Sequence, residues 1–496
     1  MDLFGTAGIR GGVEDRVTPS LALAVGRAVG AAIRDRADES TPDPTVVLAR
    51  DGRVTGPALA AAMEAGLSAG GVAVRRAGPL PTPALAHASR GRHGVMLTAS
   101  HNPPTDNGIK LFRDGVEFDR DLERAVESRV ADEAPVAPWD EWTAATRVDP
   151  LGDYLEHVRE YAAGFGADLD GLRVAVDCGN GMSAPATPTV LRELGADVVT
   201  LNGNVDGHFP GRGSKPTPET LADLRAFVAD ANEGVESPGR PADGESGAGA
   251  DADADETEGF AFGIGHDGDS DRIVIIDADG DVVHEDTVVA LLAERYTRES
   301  DADDPVVVTT PNASGRIDER VREAGGRVER VRLGALHEGI ASVRAEAQSA
   351  GTTSNTRVVF AAEPWKHVHV GFGEWIDGVA SAAVIARLVA ESGLDALREP
   401  IAERPYRKVS VDCPDEAKSG AMDRLATTLP DAFPDATVDT DHGVRLEFPD
   451  GSWALVRPSG TEPYVRVYAE SDAVDDLIAG VEAVVEDAVA AVGDSG

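Results

Sequence analysis

A chain of 496 residues is too long for one hydrophobic core and is expected to divide into roughly three or four domains. Its 46 Lys and Arg against 87 Asp and Glu give a net charge of −41. A surface of that sign repels nucleic acid and anionic lipid, which excludes both as general partners. No stretch approaches the ~18–20 apolar residues of a membrane span, and the N-terminus lacks the basic and apolar regions of a signal peptide. Cys178 and Cys413 lie far apart in sequence, which argues against a disulfide framework or a cysteine metal site. A cytoplasmic protein is expected. The acids are spread along the whole chain, a composition that resembles proteins of salt-loving organisms, where ionic strength screens self-repulsion.

Gly5-Thr-Ala-Gly-Ile-Arg-Gly-Gly12 opens the chain with one cation, Arg10, among glycines. Thr18 and Pro19 read as N-cap and first residue of a helix through roughly Ile33. A strand Val46–Ala49 ends at Arg50-Asp-Gly-Arg53, and a helix runs from Pro57 to about Ser68. The strand Val72–Arg75 is followed by a rigid connection, Gly78-Pro-Leu-Pro-Thr-Pro83. Val95–Leu97 is a short buried strand that stops in Thr98-Ala-Ser-His-Asn-Pro-Pro104, where two prolines forbid a helix. A strand at Ile109–Phe112 completes an α/β domain, 1–150.

The next domain, 151–255, holds the strand and polar glycine turn Arg173–Gly181, the helix Pro185–Leu194 and the strand Asp197–Leu201. It ends in a solvated stretch, 233–258, whose Asp251, Asp253 and Asp255 are set aside as a metal site because free carboxylates must lose chain entropy to converge. In a third α/β domain, 256–400, strands Phe260–Ile264 and Ile273–Ile276 frame Gly265-His-Asp-Gly-Asp-Ser-Asp-Arg272. Strands Val306–Thr309 and Val358–Ala361 follow, the latter ending at Glu363-Pro-Trp-Lys-His367, and a helix follows Asp377-Gly378. The last domain, 401–496, carries strands near Val409–Val411, Gly443–Phe448, Trp453–Arg457 and Tyr464–Ala469, then a helix.

Several simple motif names fail on context. Gly66-Leu-Ser-Ala-Gly70 has the spacing of a nucleophile elbow but lies at the end of a helix, where Gly70 reads as a C-cap. Gly263-Ile-Gly-His-Asp-Gly268 has the dinucleotide spacing but precedes a strand instead of a helix. Asp267-Gly-Asp-Ser-Asp271 begins like a calcium loop, yet the sixth position is Arg272 and the twelfth Ala278. No Gly-Lys pair exists, which removes a P-loop.

Three stretches survive. Ser100 lies on a tight loop at the carboxyl end of a strand, where it can carry a phosphoryl group if cations and a metal surround it; His101 and Lys110 are local candidates, and a plain surface turn is the alternative. Asp267, Asp269 and Asp271 alternate along an extended segment and project to one side, leaving open positions on an octahedral Mg²⁺, unless the segment is a solvated acidic turn. Arg457-Pro-Ser-Gly-Thr-Glu-Pro463 sets a guanidinium, hydroxyls and backbone N–H groups together, which suits a phosphate that is not reacting, or else is a turn between strands.

Taken together these stretches resemble the α-D-phosphohexomutases, the phosphoglucomutase, phosphomannomutase and phosphoglucosamine mutase family. Thr98-Ala-Ser-His-Asn-Pro103 is similar to its phosphoserine loop, Asp267-Gly-Asp-Ser-Asp-Arg272 to its magnesium loop and Arg457–Pro463 to its phosphate-binding loop. The resemblance runs from about residue 4 to 470, with the motifs in family order. It implies three related α/β domains and a smaller C-terminal α+β domain around a central cleft. It implies one Mg²⁺ held by Ser100, Asp267, Asp269 and Asp271, with Arg10 as an active-site cation. Arg272, Glu363 and His367 would meet substrate, and Arg457, Ser459, Gly460 and Thr461 the distal phosphate, assisted by Arg466. Lys110 falls where the family has a lysine implicated in proton transfer, and a lysine among cations is expected to have its pKa lowered.

The implied chemistry is reversible transfer of phosphate between the 1- and 6-positions of a hexose. Phosphorylated Ser100 donates, a sugar 1,6-bisphosphate intermediate turns round, and the other phosphate returns to Ser100. The sugar loop departs from the family: Trp365 and Lys366 stand where small residues are usual. Trp365 could stack on or narrow the space for the sugar, and Lys366 would disfavour an ammonium sugar, unless both point to solvent. Glucose or mannose phosphate is therefore expected ahead of glucosamine phosphate, with a pentose phosphate as an alternative. A phosphatase that releases its intermediate and a silent sugar-phosphate binder are the competing functions; monomer or homodimer is left open.

Overall fold

A computed structural model describes residues 3–5, 8–35, 44–234, 259–349, 355–459 and 462–493. Asp251, Asp253 and Asp255 lie outside the described residues, as do Gly460 and Thr461. The chain divides into two compact units, Met1–Glu285 with Trp365–Arg398, and Asp286–Pro364 with Glu399–Gly496.

The first unit contains two sheets. One orders its strands Ile9–Gly12, Asp106–Arg113, His93–Leu97, Thr45–Arg50, Ala73–Pro79 and Thr146–Arg147. The last four are parallel, whereas Asp106–Arg113 runs antiparallel to both its neighbours. Because Arg50 pairs with Leu97, both strands end together and their trailing residues, Asp51 and Thr98, become neighbours. The expected helix at Thr18 is Pro19–Asp35, with Leu21 N–H donating to the Thr18 hydroxyl at 3.2 Å. It packs on helix Gly56–Ala69, where Gly26 and Gly30 meet Gly66 and Gly70 so closely that a Cβ on Gly66 would lie 2.3 Å from the Leu23 carbonyl. The glycines of the failed elbow motif therefore serve helix contact. The rigid connection expected at 78–83 is instead regular: the strand reaches Pro79 and a helix, Thr82–Ala88, begins three residues later.

The second sheet is Ile273–Ile276, Phe262–His266, Arg173–Asp177 and Asp197–Leu201 in order, the last three parallel. Phe262–His266 pairs directly with Arg173–Asp177, so a domain boundary at 255/256 would cut one sheet in two. The metal-loop hairpin thus belongs with the strand and glycine turn of residues 173–181. A helix Gly378–Ser392 follows its N-cap Asp377, as expected.

In the second unit, Arg327–Arg330, Asp304–Thr309 and Thr356–Glu363 form parallel neighbours. The C-terminal antiparallel sheet runs Tyr406–Asp412, Tyr464–Glu470, Trp453–Pro458, Val444–Glu447, Thr437–Asp439. Helices Asp415–Ala432 and Val474–Gly493 pack on it through Ala421, Leu425, Leu429, Val481 and Val485, a smaller α+β layer as expected. Among the described residues no helix is long and apolar enough to cross a membrane, and both cysteines are free and buried.

Candidate active site

The strand His93–Leu97 delivers Ser100 to a loop where its φ is 51°, a left-handed conformation that side chains rarely adopt. Its hydroxyl donates to Asp267 Oδ2 at 2.6 Å. Asp267 stands just past the strand Phe262–His266, and Asp269 and Asp271 follow on the hairpin, so the first unit itself joins the serine loop to the acidic loop. The three carboxylates offer oxygens that all lie within 4.8 Å of one another, and all three residues are buried.

Electrostatics decide what such a cluster wants. Burial, then Asp271 and Asp269, push the Asp267 carboxyl well above its ordinary range. Burial pushes Asp271 up too, but Lys110, Arg272 and Lys366 outweigh it and hold that carboxyl below its ordinary range. Asp269 Oδ1 and Asp271 Oδ1 are buried and make no hydrogen bond. An all-oxygen donor set with two orphaned buried acceptors and one carboxyl forced toward neutrality fits a hard divalent cation such as Mg²⁺. Thr82 braces the loop, its hydroxyl donating to Asp269 Oδ2 at 2.7 Å and its N–H to the Asp269 carbonyl at 3.0 Å.

Lys110 corrects an expectation. Its Nζ lies 2.9 Å from Asp271, 3.7 Å from Asp269 and 3.6 Å from Glu117. Burial alone would lower its pKa, but these carboxylates outweigh burial and Arg10, and the ammonium is held above its ordinary value. Its neighbours are mostly acids and not the cations that were expected. Arg10 pairs across the sheet with Gly108, where a Cβ would meet its Cγ at 3.1 Å. His101 Nδ1 is 3.3 Å from Ser100 Oγ, and burial, then Arg272 and Arg10, lower its pKa to about 3, so the ring is neutral.

The sugar loop divides its residues. Trp365, at φ 64° and half-buried, packs against a cluster containing Leu221, Leu224, Val274 and Ile276. Lys366 is half-buried, and its charge lowers the pKa of both Asp271 and His101. His367 Nδ1 lies 3.0 Å and His369 Nε2 2.8 Å from Ser381 Oγ, whose hydrogen goes to the Asp377 carbonyl at 2.6 Å. Both rings must therefore donate to Ser381. Burial lowers the pKa of His367 to about 3, and burial and His367 together push that of His369 well below its ordinary value.

Glu363, Arg457, Ser459 and Arg466 lie in the second unit. Glu363 Oε1 accepts a short hydrogen bond from Gly334 N–H. Arg457 and Arg466 are cross-strand partners, a paired cationic face. Arg457 Nη2 donates to Tyr468 Oη at 2.9 Å, and Arg466 Nη2 to Glu462 Oε2 at 2.8 Å. Lys418 Nζ closes the loop by donating to the Ser459 and Glu462 carbonyls at 2.7 and 2.6 Å. Such a loop can hold a phosphate dianion.

Residues to which the sequence reading gave no place in the site are Asp51, Arg53, Thr82 and Glu117. Their signal was weak: Asp51-Gly-Arg53 reads only as the end of a strand, and Glu117 gains meaning only when its strand folds back on that of Lys110.

Family models match the chain three times: domain I of phosphoglucomutase/phosphomannomutase, an alpha/beta/alpha domain, over residues 1–136; domain II over 152–280; and the C-terminal domain over 409–488. A phosphopentomutase of Thermococcus kodakarensis is 38% identical over 95% of this chain and 94% of its own length. A probable phosphoglucosamine mutase of Methanopyrus kandleri is 40% identical, again over 95% and 94%. Among solved structures, a phosphoglucomutase/phosphomannomutase family protein of Burkholderia thailandensis superposes with a TM-score of 0.77 at 25% identity, covering 99% of this chain and 97% of that one. The chain belongs to the phosphoglucomutase/phosphomannomutase (α-D-phosphohexomutase) family, and is an enzyme of the isomerising phosphotransferase kind.

Proposed function

We propose that the enzyme moves phosphate between the anomeric and terminal hydroxyls of a pentose phosphate, with Ser100 as the phosphoryl carrier. The expectation of glucose or mannose phosphate gives way, because relatives that cover nearly the whole chain are named phosphopentomutase and phosphoglucosamine mutase. Lys366 supports the pentose reading over the glucosamine one: it lies in the sugar loop next to Trp365, and a sugar ammonium beside it would meet a like charge. The relative from Methanopyrus kandleri keeps glucosamine phosphate as the second reading.

In the reaction the bond from phosphorus to Ser100 Oγ breaks as one forms to the free sugar hydroxyl. The bisphosphate turns round, and its other phosphate returns to Ser100. His101, whose Nδ1 lies 3.3 Å from Ser100 Oγ, would exchange the hydroxyl proton, and the Lys110 ammonium and Arg272 guanidinium would stabilise the phosphoryl charge. Asp267, Asp269 and Asp271 would hold Mg²⁺, which when bound supplies Lewis-acid stabilisation of that charge. Arg457 and Arg466, with Ser459, Gly460 and Thr461, would grip the distal phosphate. A sugar bisphosphate primes the serine.

The test is a coupled assay with Mg²⁺ and molar KCl, which screens the acidic surface. Ribose 1-phosphate should exceed glucosamine, glucose and mannose 1-phosphates by about tenfold or more in kcat/KM. Lys366→Ser should narrow the gap to glucosamine phosphate. A preference for glucosamine phosphate in the unaltered enzyme, or a gap that Lys366→Ser leaves unchanged, would overturn the assignment.

A further inference from the structure

The Ser100 loop presents the fold with a difficulty. Two prolines contribute no N–H groups, and the loop turns so that the carbonyls of Ser100, Asn102, Pro103 and Asp106 converge on one buried side chain. Buried carbonyls need donors, and a guanidinium offers five in a fixed plane. Arg53, fully buried, supplies them. Its Nη2 donates to the Ser100 carbonyl at 2.9 Å and to that of Asn102 at 2.8 Å; its Nη1 donates to those of Asp106, at 2.9 Å, and Pro103. The fifth donor, Nε, goes to Asp51 Oδ2 at 3.0 Å.

The other side of Ser100 ends on the same pair. Ser100 N–H donates to Thr98 Oγ1 at 2.9 Å, and the Thr98 hydroxyl spends its one hydrogen on Asp51 Oδ2 at 2.7 Å. Asp51 Oδ1 accepts the N–H of Arg53 at 3.0 Å, which locks the pair internally. The ring of Phe209 lies 5.1 Å from the Arg53 guanidinium, and the Ser214 hydroxyl donates to the Asn102 carbonyl at 2.8 Å, so the segment that follows the strand Asp197–Leu201 braces the loop as well.

We propose that Asp51 and Arg53 are positioning residues for phosphoryl transfer: they grip the N–H of Ser100 through Thr98 and its carbonyl directly, and so hold the serine in the left-handed conformation that aims Oγ at the metal loop. Neither side chain touches Oγ, so they act through the backbone. The pair is tuned for geometry: a lysine at position 53 keeps the charge but has three donors on one atom and cannot span four carbonyls. Displacing a reacting atom by about 1 Å costs about a hundredfold in rate. The effect belongs in kcat, because substrate phosphate and sugar are held by other residues.

The inference rests on Ser100 as the phosphoryl carrier, and the experiment keeps the two claims apart. Arg53→Lys and the near-isosteric Thr98→Val are compared with the unaltered enzyme for cooperative unfolding, kcat, KM and the ³¹P resonance of the phosphorylated serine. Expected for Arg53→Lys is a fall in kcat of about a hundredfold with KM within about threefold, and for Thr98→Val a fall of about tenfold. The ³¹P line, single in the unaltered enzyme, should broaden or split in both. Folded Arg53→Lys with kcat within threefold and an unchanged ³¹P line would overturn the proposal. If Arg53→Lys does not fold, Thr98→Val decides alone, and unchanged kcat and ³¹P line in it overturn the proposal. Absence of any ³¹P signal from the active unaltered enzyme, or a signal that Ser100→Ala leaves in place, would instead overturn the carrier reading.

Discussion

In the loop around Ser100, the polar side chains of Asp51, Arg53, Thr98 and Ser100 are all buried and bonded to one another or to the loop backbone. In the loop around Arg457, the two guanidinium groups are half-buried, Glu462 is exposed, and Lys418 bridges the two ends of the turn. Both stretches are short and polar and were recognisable by motif, but their energetics differ in kind. A buried polar group left without its partner costs about 1–3 kcal/mol, so the first network tolerates essentially one geometry. An exposed ion pair such as Arg466 with Glu462 contributes about 0–1 kcal/mol, so the second can rearrange around a ligand that completes it. On the proposed reading, a loop that forms and breaks bonds is fixed in advance, and a loop that grips a phosphate is left open for it.

That contrast breaks first at Ser100. Ser100→Ala removes the carrier oxygen and should lower turnover by about four orders of magnitude, with loss of a one-phosphate addition in intact mass. Near-normal turnover would mean the buried network serves no transfer. Asp269→Asn comes next. It removes an anionic oxygen that is buried without a hydrogen-bond partner, and should lower kcat by about a hundredfold to a thousandfold. The shift in unfolding temperature on adding Mg²⁺ should shrink with it, and a Mg²⁺ shift equal to that of the unaltered enzyme would remove the residue from the site. Arg457→Ala tests the open side. Losing charge-assisted hydrogen bonds to phosphate should raise KM by about tenfold to a hundredfold and change kcat little. A fall confined to kcat would place this loop with the fixed ones.

The same division explains what was legible. Strands at Val95–Leu97 and Ile273–Ile276, the loops between them and the N-caps Thr18 and Asp377 are local patterns, and the structure keeps them. The motif loops themselves were visible because the chemistry uses adjacent residues. What was hidden depends on partners distant in sequence. Lys110 was expected among cations, yet its closest partner is Asp271, 161 residues on. The boundary drawn at 255/256 overlooked a parallel pairing between Arg173–Asp177 and Phe262–His266 that no turn signal announces. Helices Leu151–Ala162 and Ala222–Asn232 lack side-chain N-cap hydrogen bonds and were not among the expected elements. Trp365 could not be aimed from sequence, because its direction is set by a positive φ and by the cluster around Leu221.

The smallest expected effect concerns a third polar cluster, that of His367, His369, Ser381 and Asp377, and asks to which side of the comparison it belongs. Burial, then His367, hold the pKa of His369 well below the ordinary 6.5, so the folded ring stays neutral while the unfolded one takes a proton. The sign follows from proton binding: below 6.5 the unfolded chain binds more protons, so the stability tied to neutral His369 is full above 6.5 and lost as pH falls. At about pH 5 the loss should reach about 2 kcal/mol. In His369→Gln the side-chain amide can still donate to Ser381 but does not titrate. The variant should therefore lie below the unaltered enzyme near pH 7.5, and the difference in unfolding free energy between them should narrow by about 2 kcal/mol by pH 5. Parallel pH profiles would show that His369 gains a proton in the folded state with ordinary ease. The cluster would then open to water and belong with the loop of Arg457, not with the network around Ser100.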